Sequence, residues 1–158
     1  MTEFTEEDFN KLKAEREAWY RSVKEVSCGY FPGEKIHFNA KGLEHLKFKS
    51  KNHARSQQDQ YGRLKLLHLV PEILKLSRTV QGIEERKVWE INRSNQRNES
   101  VYVDATYYEF VAVIKGIRVR VVVKQIGGAP KYFWSIIPNW KMSENGKRKI
   151  HNGNPEED

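Results

Sequence analysis

Two short breaks, Lys115-Gly116 and Gly127-Gly128-Ala129-Pro130, limit the folds open to this chain more than any other feature. They separate runs rich in Val, Ile, Tyr, Phe and Trp, at residues 86–92, 106–114, 117–126 and 131–138, which is strand composition. A two-residue break ending in Gly suits a tight hairpin. Closing it pairs Ile114 with Ile117, Val113 with Arg118, Val111 with Arg120, Glu109 with Val122 and Tyr107 with Lys124. Closing the second break as a four-residue loop pairs Lys124 with Phe133 and Val122 with Ser135. Side chains alternate across a strand. One face therefore holds Tyr108, Phe110, Ala112, Val119, Val121, Val123, Tyr132, Trp134 and Ile136, a core face. The other holds Tyr107, Glu109, Arg118, Arg120, Lys124, Phe133 and Ser135. A slip of one residue exchanges the two sets, so the turns decide which chemistry shares a surface.

The first half of the chain has the helical period instead. Phe9, Leu12, Trp19, Val23 and Val26 form a stripe over residues 5–26, with Thr5 as N-cap and Glu6, Glu7 and Asp8 at the positive end of the helix dipole. A short helix follows from Asn39, carrying Leu43 and Leu46. A third spans Ser56 to Leu69, where Pro71 interrupts before Ile73, Leu74 and Leu76. Helices first and strands afterwards predict an α+β domain, with N-terminal helices packed on one face of a four-stranded antiparallel sheet. Residues 1–34 read as an N-terminal helical extension, 35–142 as the main domain and 143–158 as a polar tail that frays. Ser94–Ser100 reads as a polar loop.

At 158 residues the chain has the length of one domain. The lone Cys28 excludes an internal disulfide framework and any multi-cysteine zinc site. The acidic start lacks the apolar core of a secretory signal, and no apolar run reaches the roughly 20 residues of a membrane span. The expectation is a cytoplasmic protein without membrane attachment. His37, His45 and His53 are spaced eight apart among lysines, which is poor spacing for metal ligands, so neither metal nor other cofactor is expected. No phosphate-cradling Walker loop is present, and Ser135 within a strand is no nucleophile elbow.

Charge points to an acidic partner. Lys and Arg number 28 against 21 Asp and Glu, a net charge of +7. Eight cations lie between Lys35 and Lys65 against Glu44 and Asp59 alone, and five lie between Lys115 and Lys131 against no acid. Tyr107, Phe133, Phe48 and Tyr61 are interleaved with them. Cations answer phosphates and rings stack on unpaired bases, so single-stranded RNA fits this mixture best. A merely solvated outer sheet face accounts for the same charges. His45 lies among cations that favour its neutral ring, as a structural or a catalytic group.

The order of elements adds a resemblance. Lys35-Ile36-His37-Phe38 leads into Gly42-Leu43-Glu44-His45-Leu46. Arg63-Leu64-Lys65-Leu66-Leu67 ends at Val70-Pro71-Glu72-Ile73, and the strands close in Tyr132-Phe133-Trp134-Ser135-Ile136-Ile137-Pro138. Over residues 35–140 this resembles the phage-borne branch of the barnase–EndoU–colicin–RelE superfamily of small metal-independent ribonucleases. The resemblance implies an endoribonuclease, a toxin or phage-associated, that cleaves RNA by attack of the ribose 2′-hydroxyl on the adjacent phosphate. It implies Arg118, Arg120 and Lys124 at the phosphate, Ser135 as a hydrogen-bonding hydroxyl and His45 as acid–base group. Glu109 is the alternative base, or else an ordinary cross-strand partner of Arg120 or Lys124. Lys47, Lys49 and Arg55 are implied at the RNA backbone, with Tyr107 and Phe133 as stacking rings. An acidic antitoxin or immunity protein would cover the basic face. A non-catalytic nucleic-acid-binding module and a domain that docks on an acidic host protein stay open beside the enzyme.

Overall fold

The computed structural model describes residues 3–94, 97–138 and 154–158. The expectation for Ser143–Gly153 lies outside them.

Capping chemistry places the helices where the sequence suggests. Helix α1 (Glu6–Val23) opens with a reciprocal cap: the Asp8 N–H donates to Thr5 Oγ1 at 3.0 Å and the Thr5 N–H to the Asp8 carboxylate at 3.1 Å. Asn39 caps α2 (Ala40–Lys47) by accepting from the Gly42 N–H, and Ser56 caps α3 (Gln57–Leu66) by accepting from the Asp59 N–H. Helix α3 runs through a single 3₁₀ turn (Leu67–Leu69) into α4 (Val70–Leu76). Pro71 sits in the first turn of α4, where its missing N–H costs no hydrogen bond.

The sheet is six-stranded and mixed, which corrects the expected four antiparallel strands. The strands β1 (Glu25–Ser27), β2 (Lys35–His37), β5 (Gly82–Ser94), β6 (Arg97–Ile114), β7 (Ile117–Ile126) and β8 (Tyr132–Pro138) lie in the order β1-β2-β8-β7-β6-β5. A separate hairpin joins β3 (Phe48–Ser50) to β4 (His53–Ala54). β2 lies parallel to β8, touching it at His37 and Tyr132, and antiparallel to β1. Three residues are too few to show a period of two, so β1 and β2 leave no sequence signal. The expected loop at Ser94–Ser100 is also corrected: Ser94 pairs with Arg97 and Ile91 with Ser100, extending the β5–β6 hairpin. Backbone ladder bonds need no apolar alternation, and a polar hairpin end therefore reads as loop.

The turn at Lys115-Gly116 has both residues at positive φ, 50° and 77°, as a tight hairpin requires. All five pairs expected across it are present. Across the next turn Val122 faces Ser135 as expected, but Lys124 faces Tyr132 and Val123 faces Phe133. A β-bulge here leaves Trp134 without an opposite residue, so residues before it change face. Phe133, expected beside Lys124, is instead buried in the helical core against Tyr20 and Phe38. Tyr132 and Trp134, expected in that core, join the opposite face.

The main core lies between the helices and the face bearing Phe110, Val119, Val121, Val123, Phe133 and Ile136. The other face is not simply polar. Val88, Ala105, Tyr107, Val122, Tyr132, Trp134 and Ile137 form a second apolar cluster there. Beyond Tyr132 the edge of β8 is met by α2 and α3 rather than by a strand. Gly42 makes the close approach possible: a Cβ there would overlap the Phe133 carbonyl oxygen and the Tyr20 hydroxyl.

Candidate functional site

The helices that cover the β8 edge send cations around it into the second cluster. Arg63, on α3, meets Ser135 of β8; Arg55, between β4 and α3, shares the Asp158 main-chain oxygen with Ser135, and both arginines and Lys124 of β7 act on His45. Arg55, Arg63, Lys124 and Ser135 are all buried. Arg63 Nη1 donates to Ser135 Oγ at 2.7 Å, and its Nε donates to Asp59 at 2.7 Å. Asp59 also lies 3.5 Å from Arg55. Lys124, with no exposed surface, places its ammonium 4.0 Å from the centre of the Trp134 ring and 5.5 Å from that of Tyr107. Its carboxylate partner within the sheet is Glu90 of β5, at 3.4 Å. Glu90 is held more closely by Lys41, at 2.7 Å. Among the described residues before Asn154, Arg55 and Arg63 pair with Asp59, and Lys41 and Lys124 with Glu90.

Residues Asn154–Asp158 supply further acceptors to these donors. The Trp134 indole N–H donates to the Pro155 carbonyl at 2.9 Å. Glu156 accepts from Lys124 at 2.8 Å and from the Tyr107 hydroxyl. The Asp158 main-chain oxygen accepts from Arg55 at 3.1 Å, from Ser135 at 2.9 Å and from Arg63. Arg55 donates at 2.9 Å to the Glu157 carbonyl.

Burial dominates the electrostatics. It lowers the Lys124 amine to about 8, with Glu90 opposing, and lowers Arg55 to about 10, with help from Arg63. Burial and the charge of Glu90 push the Glu156 carboxyl up to about 8. On Glu90 itself burial acts upward, but Lys41 and Lys124 outweigh it and hold the carboxylate below its ordinary range.

His45 also stands at this site. It is 3% exposed and stacks on Trp134 with ring centres 3.9 Å apart. Its Nε2 lies 3.0 Å from Arg55 Nη2; since a guanidinium only donates, Nε2 accepts and carries no proton. Arg55 Nε also donates to the His45 carbonyl. Burial, then Arg55, Arg63 and Lys124, hold the imidazole well below its ordinary pKa. The ring orients Arg55 and is in no position to exchange protons with a ligand.

Of the residues singled out from sequence, the fold gathers His45, Arg55, Tyr107, Lys124 and Ser135. Glu109 is ion-paired to Arg120 across the strands. It is in register with Val122 and Ser135 but two strands from the latter, about 10 Å at ordinary strand spacing. Arg118 faces Val113 near the hairpin end, four residues along β7 from Val122. Lys47 is paired with Glu17 of α1, Lys49 is exposed on β3, and Phe133 is in the core. Sequence reasoning missed Arg63 and Trp134 as site residues. Arg63 had a signal: it lies one turn before Leu67 on an apolar stripe, with Asp59 one turn behind. Trp134 had none, because its face depends on the bulge. Among the described residues no cluster of His, Cys, Asp and Glu side chains is arranged to hold a metal ion, and no helix is long and apolar enough to cross a membrane. Set against protein-family models, curated proteins and solved structures, the chain matches none.

Proposed function

We propose that the chain is an endoribonuclease of the barnase–EndoU–colicin–RelE kind, cleaving RNA by 2′-hydroxyl attack without a metal. One observation carries this: Arg55, Arg63 and Lys124 are buried near Ser135, and part of their partnering comes from the Glu156 side chain and the main-chain oxygens of Glu157 and Asp158 rather than from Asp59 and Glu90. Donors satisfied in this way suit an anionic ligand in place of that segment. Phosphate matches the two guanidinium forks. A cavity of about 550 Å³, lined by Lys41, Glu90 and Tyr132 and reaching Val101 and Pro130, adjoins the partners of Lys124 and offers a path for an RNA strand.

The chemistry transfers from His45 to Lys124. An amine lowered to about 8 has a neutral fraction near neutral pH and suits a general base. It takes the 2′-hydroxyl proton as that oxygen bonds to phosphorus. Arg55 and Arg63 stabilise the charge on the equatorial oxygens, and Ser135 donates a further hydrogen bond. The bond to the 5′-oxygen then breaks, and the proton passes, directly or through water, to that leaving oxygen. The products are a cyclic phosphate and a 5′-hydroxyl. A basic hollow of this kind also suits an acidic antitoxin or immunity protein in the cytoplasm.

A specific observation favours the second reading, a non-catalytic RNA-binding module: the buried imidazole removes the expected acid–base histidine. Incubating labelled RNA with the protein in EDTA separates the two. Cyclic-phosphate-ended products that disappear with Lys124→Met support the enzyme. Salt-dependent binding with intact RNA after prolonged incubation supports the module.

A further inference from the structure

We infer that Asn154–Asp158 is a built-in competitor, an acidic segment of the chain that holds the anion positions of the hollow and must leave before a polyanion can enter. The inference rests on the hollow being an anion site, as proposed above, and adds what controls access to it.

The contacts are those of a ligand rather than of a passing loop. Every basic or hydroxyl group assigned to the phosphate is engaged by this one segment. The Glu156 carboxylate takes Lys124 at 2.8 and 3.2 Å, together with the Tyr107 hydroxyl. The Asp158 main-chain oxygen takes Arg55, Arg63 and Ser135, and the Glu157 carbonyl takes Arg55. Pro155 occupies the Trp134 indole N–H. A tight turn, with the Glu157 and Asp158 N–H groups donating to the Asn154 carbonyl at 3.1 and 2.9 Å, presents these acceptors on one side. The carboxyl and carbonyl oxygens of the segment and the oxygens of a phosphate accept from the same donors. The segment and a phosphodiester therefore cannot occupy these cations at once, and binding is exclusive.

The test uses the full chain. Affinity for a 5′-labelled oligouridylate is measured by fluorescence anisotropy for wild type, Glu156→Gln and Glu157→Gln. The two variants make the same substitution at adjacent positions with different contacts: Glu156 engages Lys124 through its side chain, Glu157 engages Arg55 only through its backbone. Losing a charge-assisted hydrogen bond weakens docking about tenfold or more, so Glu156→Gln is expected to bind the oligonucleotide about tenfold tighter than Glu157→Gln. In parallel, NMR follows the amides of Glu157 and Asp158. They are expected to exchange slowly in the free protein and at free-peptide rates once the oligonucleotide is bound. Equal affinities for the two variants, or amides that stay protected in the bound state, overturn the inference and leave the RNA reading standing. If no variant binds the oligonucleotide but inorganic tripolyphosphate frees the amides, the competitor stands and the ribonuclease falls. If no polyanion frees them, the segment is merely structural and the inference is overturned.

Discussion

Lys124→Met separates a functional lysine from a structural one, because the two roles predict opposite signs for stability. Lys124 is fully buried, and its amine falls from 10.5 to about 8, which sets about 3 kcal/mol against the charged form in the fold. Met has similar length, no charge and suits the apolar surroundings of Trp134 and Tyr107. Substitution relieves that penalty and forfeits a charge-assisted bond to Glu156 of about 1.5–3 kcal/mol. Glu90 keeps Lys41. The net expectation at pH 7 is a variant as stable as wild type or more stable by up to about 1.5 kcal/mol. The pH dependence has a definite sign. Between about 8 and 10.5 the unfolded chain binds a proton on Lys124 that the folded chain does not, so wild-type stability rises with pH there; below 8 both forms are charged and the full penalty applies. Urea unfolding of both proteins from pH 7 to 10.5 gives the difference curve, and the same preparations are assayed on RNA, where cleavage should drop at least about 100-fold. Destabilisation beyond about 2 kcal/mol, equal pH slopes in the two proteins, or undiminished cleavage would refute the assignment.

Three further outcomes are expected. Gly42→Ala should lower stability by about 1–3 kcal/mol in urea unfolding, since the added methyl forces α2 away from the Phe133 carbonyl and the Tyr20 hydroxyl. Tyr20→Phe should cost about 1 kcal/mol in the same assay, by removing the 2.6 Å bond to the Asn39 carbonyl at the α2 cap. His45, held neutral in the fold, should make the protein less stable as pH falls below about 6.5, because the unfolded chain then binds a proton that the folded one refuses. His45→Gln should flatten that acid limb in thermal melts from pH 7 to 5 and, through a displaced Arg55, weaken oligonucleotide binding.

Local chemistry determined much of this protein. Thr5, Asn39 and Ser56 cap the helices because their side-chain oxygens reach the first free N–H groups, a matter of three residues. The Lys115-Gly116 turn set the phase of β6 on β7, so that Glu109 faces Val122 as the alternation predicts. The excess of 28 Lys and Arg over 21 Asp and Glu is likewise fixed by composition alone. Tertiary structure alone decided the rest. The bulge at Trp134 is a contest between packing Phe133 under the helices and keeping a regular ladder, and its outcome depends on Tyr20 and Phe38, more than ninety residues away. β1 and β2 are strands only because β8 offers an edge. The meeting of Arg55, Arg63, Lys124 and Ser135 joins β8 to residues as many as eighty positions earlier, and Asn154–Asp158 supplies acceptors to all four. Caps and turns are set by neighbours along the chain; a hollow is set by which distant faces can be buried together.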